Sequence, residues 1–398
     1  MDRASAAEVF AAFLKLGLTS FGGPIAHLGY FRDEFVTRRR WLDDAAYADL
    51  VALCQFLPGP ASSQVGFALG LMRAGWRGAL AAFAGFTLPS ALILLVFAMT
   101  AASIRGPIGM GALDGLKIVA VAIVAQAVWG MARSLCPDRA RAGIAAGAVA
   151  VLAVAPGAIG MVGAILAGAL AGLILCRGPG GATGGASRGP FAMAVPRGAA
   201  WIALGLFAGL LGLLPAVAVL GQAPAVLDAF YRAGALVFGG GHVVLPLLQA
   251  EVVAPGWVTE DAFLAGYGAA QAVPGPLFTF AAYLGAVLVP APNGIAGAVL
   301  ALVGVFLPGF LILVGVLPFW DRFRALAPVQ ALMRGANAAV VGILGAALYS
   351  PVFTGAVGDM RDFALALACF VALMAWKAPP WAVVLMAAAG GAGLALTA

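Results

Sequence analysis

FLKLGLTSFGG at residues 13–23 and FYRAGALVFGG at residues 230–240 are two copies of one segment, 217 positions apart. They share Phe13/Phe230, Lys15/Arg232, Gly17/Gly234 and Phe21-Gly22-Gly23/Phe238-Gly239-Gly240. One residue is then lost, and at an offset of 216 Trp41 meets Trp257, Gln55 meets Gln271, and Pro58-Gly59-Pro60 meets Pro274-Gly275-Pro276. Leu88-Pro89 meets Leu307-Pro308, Gly115 meets Gly335, and Pro156 meets Pro379. Matches in one order along nearly all of both halves indicate an internal repeat rather than biased composition. The chain divides into a first repeat over 1–177, a Gly-rich linker over 178–197, a connecting helix over 198–222 and a second repeat over 223–398.

Composition puts both repeats in a bilayer. Of 398 residues, 63% are hydrophobic and 10% charged, whereas soluble domains carry about 25% charged residues. The 55 glycines and 24 prolines lie among Leu, Val, Ile and Phe, which excludes collagen and disordered tails and fits packed membrane helices. The segments 78–104, 142–176, 198–227, 262–320, 335–358 and 378–398 contain no Asp, Glu, Lys or Arg. As one helix, 262–320 would run about 88 Å, roughly three hydrocarbon thicknesses, so the chain turns within it. Pro274-Gly275-Pro276 and the Pro290–Gly294 run are where it does.

Residues 8–36 and 43–72 each contain two apolar stretches of half a crossing, interrupted at FGGP (21–24) and PGP (58–60). Such stretches read as re-entrant hairpins or as full crossings, and their half length favours the hairpins. Four further spans follow in each repeat. The fold expected is an all-α integral membrane protein of two inverted-topology repeats, with broken or re-entrant half-helices at FGG and PGP.

Charge agrees with inversion. A cytoplasmic N-terminus, with the extra span 198–220 flipping the second repeat, puts most of the 22 basic residues on the cytoplasmic side and the C-terminus outside. Arg105 and Arg361 fall outside, and Lys15, Lys117 and Arg232 fall within spans. No cleaved signal peptide is expected at the N-terminus, consistent with a bacterial inner membrane. Cys54, Cys136, Cys176 and Cys369 are scattered and give no metal or redox motif, and no GxxxxGK[ST] is present. No cofactor, no nucleic-acid partner and no enzymatic activity are expected. A membrane-embedded reductase would have little to build on.

An FGG motif followed by Trp and QxxPGP, twice and in order, resembles the two-domain chromate ion transporter family across essentially the whole chain. The resemblance rests on Phe21-Gly22-Gly23-Pro24, Trp41, Gln55 and Pro58-Gly59-Pro60, and on Phe238-Gly239-Gly240-Gly241, Trp257, Gln271 and Pro274-Gly275-Pro276. It implies export of chromate from the bacterial cytoplasm and chromate resistance, with some members handling sulfate. The first copy departs from the second at Pro24, where the second has Gly241.

The residues suit such a substrate independently. After each PGP a half-helix begins with its free N–H groups aimed at the membrane centre, and a helix N-terminus suits a tetrahedral oxyanion. Ser62, Ser63 and Gln64 add donors in the first repeat and Thr279 in the second. A dianion needs compensating charge, for which Lys15 and Arg232, each seven residues before a tip glycine, are the candidates. Lys15 alternatively snorkels to the interface. His27 and His242 follow the FGG tips and either couple proton movement or bond a neighbouring helix. Glu34 and Glu251 align as possible proton carriers, and Gln55 and Gln271 either cap a half-helix or donate to substrate. Asp114 and Lys117 have ion-pair spacing. Gly205, Gly209 and Gly212, and Gly390, Gly391 and Gly393, read as small-residue packing seams.

The function expected is a secondary transporter working by alternating access on chromate, alternatively a sulfate importer or exchanger, or an anion channel. Lipid surrounds it, and a homodimer is compatible with it.

Overall fold

The computed structural model describes residues 5–101, 103–176, 195–320, 322 and 326–397. Among them every regular element is helical. The first repeat comprises α1 (Ala6–Thr19), α2 (Gly23–Arg32), α3 (Asp44–Phe56), α4 (Ala61–Ala101), α5 (Pro107–Leu135), α6 (Arg139–Val154) and α7 (Ala158–Leu175). The connector is α8 (Arg197–Ala218). The second repeat comprises α9 (Gln222–Ala235), α10 (Val244–Val252), α11 (Glu260–Ala270), α12 (Phe280–Val287), α13 (Gly294–Val316), α14 (Ala327–Ala347), α15 (Met360–Met374) and α16 (Pro380–Thr397). Seven helices among the described residues are long and apolar enough to cross a bilayer: α4, α5, α7, α8, α13, α14 and α16, with α13 and α14 counted with their short continuations. Most of the linker lies outside the described residues.

Local chemistry explains the starts and breaks. Ser5 caps α1 by accepting the Glu8 N–H at 3.1 Å in a Ser-x-x-Glu arrangement, and Asp43 caps α3 through Ala46 N–H at 2.8 Å. Asp138 caps α6 through the Arg141 N–H, which together with the Arg141 guanidinium holds its carboxyl below the ordinary range. The helix α4 is really two, because Ala74 and Gly75 leave helical geometry and the chain folds back until Gly70 packs against Gly78. Gly285 on α12 and Gly297 on α13 make the same backbone approach in the second repeat. The first pair of half-helices also folds back: the Phe13 ring on α1 lies 5.5 Å from Phe31 on α2 and 4.8 Å from Phe35 beyond it. At PGP the chain doubles back as well, α3 lying on α4 and α11 on α12, where the Tyr283 hydroxyl donates to the Ala262 carbonyl at 2.9 Å, so the segments at FGG and PGP are hairpins of short helices.

The packing repeats as the sequence does. Gly17 of α1 lies so close to the carbonyls of Gly85 and Phe86 on α4 that a methyl group would overlap them, and Gly234 of α9 meets Val305 of α13 in the same way. Beyond the hairpins the two repeats exchange helices. In one crossing α5 packs on α16, with Gly111 and Gly115 against Gly391 and Ala387. In its counterpart α14 packs on α7, with Gly335 against Gly168 and Gly172. In lipid, where apolar burial drives little association, such backbone approach is what holds helices together. Phe83, early in the second part of α4, reaches Phe306 and Phe310, late in α13, while Ala91, further along, clusters with Ala298, early in α13. Equivalent helices therefore cross antiparallel, the relation that inversion requires.

One seam is corrected. Gly390 and Gly391 pack, but a methyl group at Gly205, Gly209, Gly212 or Gly393 would meet nothing within 4 Å among the described residues, and α8 is largely uncovered by protein.

Gly59 and Gly275, the central residues of the two PGP tips, have φ of 116° and 99°. A Cβ there would lie 2.9 Å from Gly309 Cα or 2.9 Å from Ser90 Oγ. Gly59→Ala and Gly275→Ala should each cost about 2–4 kcal/mol from backbone strain plus overlap. Gly256→Ala, with φ of 77° but open space around it, should cost only about 1 kcal/mol. Thermal unfolding in detergent checks the ranking, and equal losses at all three would contradict it.

Candidate functional site

The tips of the four hairpins meet, and they meet across the repeats. The Gly59 N–H donates to the Val237 carbonyl at 2.7 Å, and the Gly275 N–H donates to the Ser20 carbonyl at 2.9 Å. Val237 and Ser20 are equivalent residues, each immediately before an FGG. Each PGP is therefore tied to the FGG of the other repeat. Each also sits against the proline-bearing turn of the other repeat's long helix: Gly59 against Gly309, next to Pro308, and Gly275 against Ser90, next to Pro89. The two FGG segments touch each other, Pro24 against Gly241 and Gly23 facing His242 Nε2.

Four helix starts converge here. α2 begins at Gly23 with Gly22 at φ 100°, α4 begins at Ala61, and α10 and α12 follow single 3-10 turns at 241–243 and 277–279. Their leading N–H groups have no intrahelical partner and carry the positive end of the helix dipole.

The side chains around these starts are polar and mostly buried. Ser62 and Ser63 are both 3% exposed, and Ser63 Oγ has no partner among the described residues. Gln64 gives its amide N–H groups to the carbonyls of Pro58 at 2.9 Å and Gly309 at 2.8 Å, clamping the first PGP to α13, and leaves Oε1 unpartnered. The Thr279 hydroxyl is committed to the Pro276 carbonyl at 2.7 Å. His27 is fully buried edge-on to Phe86, and the backbone of Ser20 is the one neighbour among the described residues placed to take a weak hydrogen bond from its ring. His242 Nδ1 shares a 2.8 Å bond with the Tyr267 hydroxyl. Gln271 keeps a buried amide nitrogen unpartnered, whereas its equivalent Gln55 is exposed. Phe21 lies beside Trp381 on α16, and Phe238 packs against the main core.

Sequence reasoning missed Ser20, Thr87 and Asn337. Among the described residues Ser20 Oγ and Thr87 Oγ1 are buried without partners, and Asn337 Oδ1 is likewise unpartnered, close to Gly239. Their positions were a signal: Ser20 precedes FGG, Thr87 precedes Leu88-Pro89, and Asn337 is a lone amide in an uncharged span. Each buried unpartnered group costs about 1–3 kcal/mol unless water or a ligand completes it.

Lys15 and Arg232 do not point to the tips. Lys15 Nζ bonds Glu34 at 3.2 Å, and Arg232 makes a two-pronged contact with Glu251 at 2.9 and 2.7 Å and reaches Asp228 at 3.0 Å. Both pairs span 19 residues, so the repeat preserves one ion pair that staples each FGG hairpin across its arms. Glu34 is also held by Arg38 at 3.1 Å and Arg39 at 2.7 Å. Lys117 does bond Asp114, and it also bridges to Asp261 on α11 at 2.9 Å.

The chromate transporter family matches residues 7–173 and 224–394, the two repeats just described. The chain belongs to that family. A chromate transport protein of Pseudomonas aeruginosa is 32% identical over 407 residues, covering 97% of this chain and 91% of its own. One from Cupriavidus metallidurans is 27% identical over 370 residues, 92% of this chain and 87% of its own. An uncharacterized Bacillus subtilis transporter is 34% identical over 88 residues, which are 22% of this chain and 49% of its own. That last relative is therefore about the length of one repeat of this chromate transporter family member. No solved structure matches the chain.

The two staples differ in redundancy. Removing Arg232 strands the Glu251 and Asp228 carboxylates, whose side chains are 10% and 9% exposed, so Arg232→Met should cost about 3 kcal/mol. Removing Lys15, which is half exposed, leaves Glu34 held by two arginines, so Lys15→Met should cost less than about 1 kcal/mol. Melting temperatures of the purified variants check this, and an equal or reversed order would contradict it.

Proposed function

We propose that this protein exports chromate across the bacterial inner membrane, N-terminus cytoplasmic and C-terminus outside, by alternating access at the junction of the four hairpin tips. Membership of the chromate transporter family makes it a transporter, and the names of its relatives point to chromate. The observation that carries the reading is the reciprocal pairing of PGP with FGG, which gathers four helix N-termini, the buried hydroxyls of Ser20, Ser63 and Thr87 and the His27 imidazole at one place. A tetrahedral dianion accepts hydrogen bonds on every face, and this is a set rich in donors.

In this reading the anion is bound by the N–H groups that open the half-helices after Gly22-Gly23, Gly239-Gly240 and the two PGP tips, with Ser62, Ser63, Thr87 and His27 completing its shell. Neutral donors suffice for a passage site, because a bound anion must also leave. Lys15 and Arg232 act through the staples with Glu34 and Glu251, holding the tips in position. Expulsion of a dianion from a negative interior is favourable by about 2.3 kcal/mol per charge per 100 mV, so the membrane potential can drive export. His27, His242 and Glu251 are the groups through which a proton could be exchanged for it.

The test is flux in proteoliposomes loaded with labelled chromate, competed by sulfate. Saturable efflux is expected, with Ser63→Ala and Thr87→Val each weakening apparent affinity about tenfold, the cost of one lost hydrogen bond to a charged group. Efflux unchanged in both variants would contradict the site. Stronger competition by sulfate than by unlabelled chromate would move the substrate to sulfate.

A further inference from the structure

The two repeats match in sequence but are not packed alike. In the second repeat α11 lies on α5, with Gly268 against Leu116, and α10 lies on α7 and α14. In the first repeat α3 makes no comparable contact with α14, and α2 makes none with α5 or α16. Individual residues carry the difference. Ala45, Ala48, Ala52 and Gln55 line one face of α3 and are all exposed. Of their equivalents, Leu264 and Gly268 are buried, and Gln271 is partly covered. On α2, Tyr30 is 42% exposed, whereas its equivalent Leu247 on α10 is 4% exposed. Even the tips differ: Gly22 is open, but Gly239 is closed in by Met131 and Leu135 of α5 and by Asn337 of α14.

One ion pair joins the docked side. Lys117 on α5 holds Asp261 on α11 at 2.9 Å while also holding Asp114. The equivalents of Lys117 and Asp261 are Asn337 and Ala45, which cannot pair by charge.

We infer that the structure is one of two exchangeable packings, in which α10 and α11 are docked and α2 and α3 are undocked, and that Lys117–Asp261 is the latch favouring this one. In the other packing α11 lifts from α5 and α10 from α14, and Ala52 of α3 seats on Ala336 of α14, which is buried in the present packing, as Gly268 now seats on Leu116. The inference rests on the transport reading for its purpose but not for its geometry. Two copies of one sequence pattern that each have a receptor helix can dock alternately, because what one side gains in burial the other gives up. The two reciprocal PGP to FGG bonds are present on both sides of the present asymmetry, so they serve as the fixed pivot. The undocked side is the one bearing Arg38, Arg39 and Arg40, so the exposed α3 face lies toward the side that the positive residues mark. The occupant of the exposed α3 face is thus α14 of the same chain.

The test is thiol labelling of the full-length protein with its four cysteines replaced by alanine, carrying either Ala52→Cys or Leu264→Cys, with and without Lys117→Met. Ala52→Cys should react fast and Leu264→Cys slowly while Lys117 is present. With Lys117→Met, the balance between the two packings should shift about two- to fivefold, the loss of one partly exposed pair, so Ala52→Cys should slow and Leu264→Cys quicken by factors whose product is that shift. Hydrogen exchange on the chain with native cysteines gives a second readout. Lys117→Met should raise exchange over 260–270 and lower it over 44–56, and simple loosening of α11 would not produce the second change. Slow labelling of Ala52→Cys with Lys117 in place, as when a second copy covers α3, would overturn the inference. So would any failure of 44–56 to gain protection. Chromate flux on the same samples bears on the transport reading alone, so reciprocal labelling without flux would remove that reading and leave the exchange standing.

Discussion

Two backbone hydrogen bonds, Gly59 N–H to Val237 carbonyl and Gly275 N–H to Ser20 carbonyl, hold the molecule's centre together. Each joins a PGP turn of one repeat to the residue before FGG in the other, so each repeat completes the tips of the other. The glycines are needed twice over, for a positive φ and for the close approach of the opposite long helix. Broken backbone is permitted at membrane depth only where protein or a polar cavity surrounds it. Here each repeat supplies that surrounding for the other. The exchange of helices further out, α5 with α16 and α7 with α14, repeats the same logic with glycine seams in place of hydrogen bonds.

The electrostatics follow from this arrangement. The charged side chains nearest the tips are already neutralised, Lys15 by Glu34 and Arg232 by Glu251 and Asp228. What remains at the junction is dipolar: helix N-termini, hydroxyls, an imidazole and amides. Dipoles stabilise an anion without the deep trap that an unpaired buried cation would make. A site that must release its ligand on either side gains from that restraint. The redundancy of basic residues around Glu34, against the single arginine serving Glu251 and Asp228, also shows that sequence equivalence does not imply equal energetics.

Much of this was legible beforehand. The offset between Phe13-to-Gly23 and Phe230-to-Gly240 exposed the repeat, the absence of charge marked the spans, and proline with glycine marked the hairpin tips. Periodicity and spacing could not say which FGG a PGP would meet, because a hydrogen bond to the next motif in the chain and one to the equivalent motif 200 residues away leave the same residues in the sequence. Nor could they pair Lys15 with Glu34, since a 19-residue separation becomes a contact only after the chain doubles back. The seam expected at Gly205, Gly209 and Gly212 failed for the opposite reason: small residues permit close packing but do not supply a partner. Ser20, Thr87 and Asn337 were hidden because single polar residues in apolar spans gain meaning only when burial leaves them unpaired.

The central claim is that the junction of the four tips is where the anion sits. Diffraction from crystals grown with chromate, recorded at the chromium absorption edge, tests it most directly. One anomalous peak among Gly22, Gly239, Gly59 and Gly275, within hydrogen-bond reach of Ser63, Thr87 or His27, is the predicted result. A peak elsewhere along the helices with none at the junction, such as one beside Arg38 and Arg39, would contradict the account.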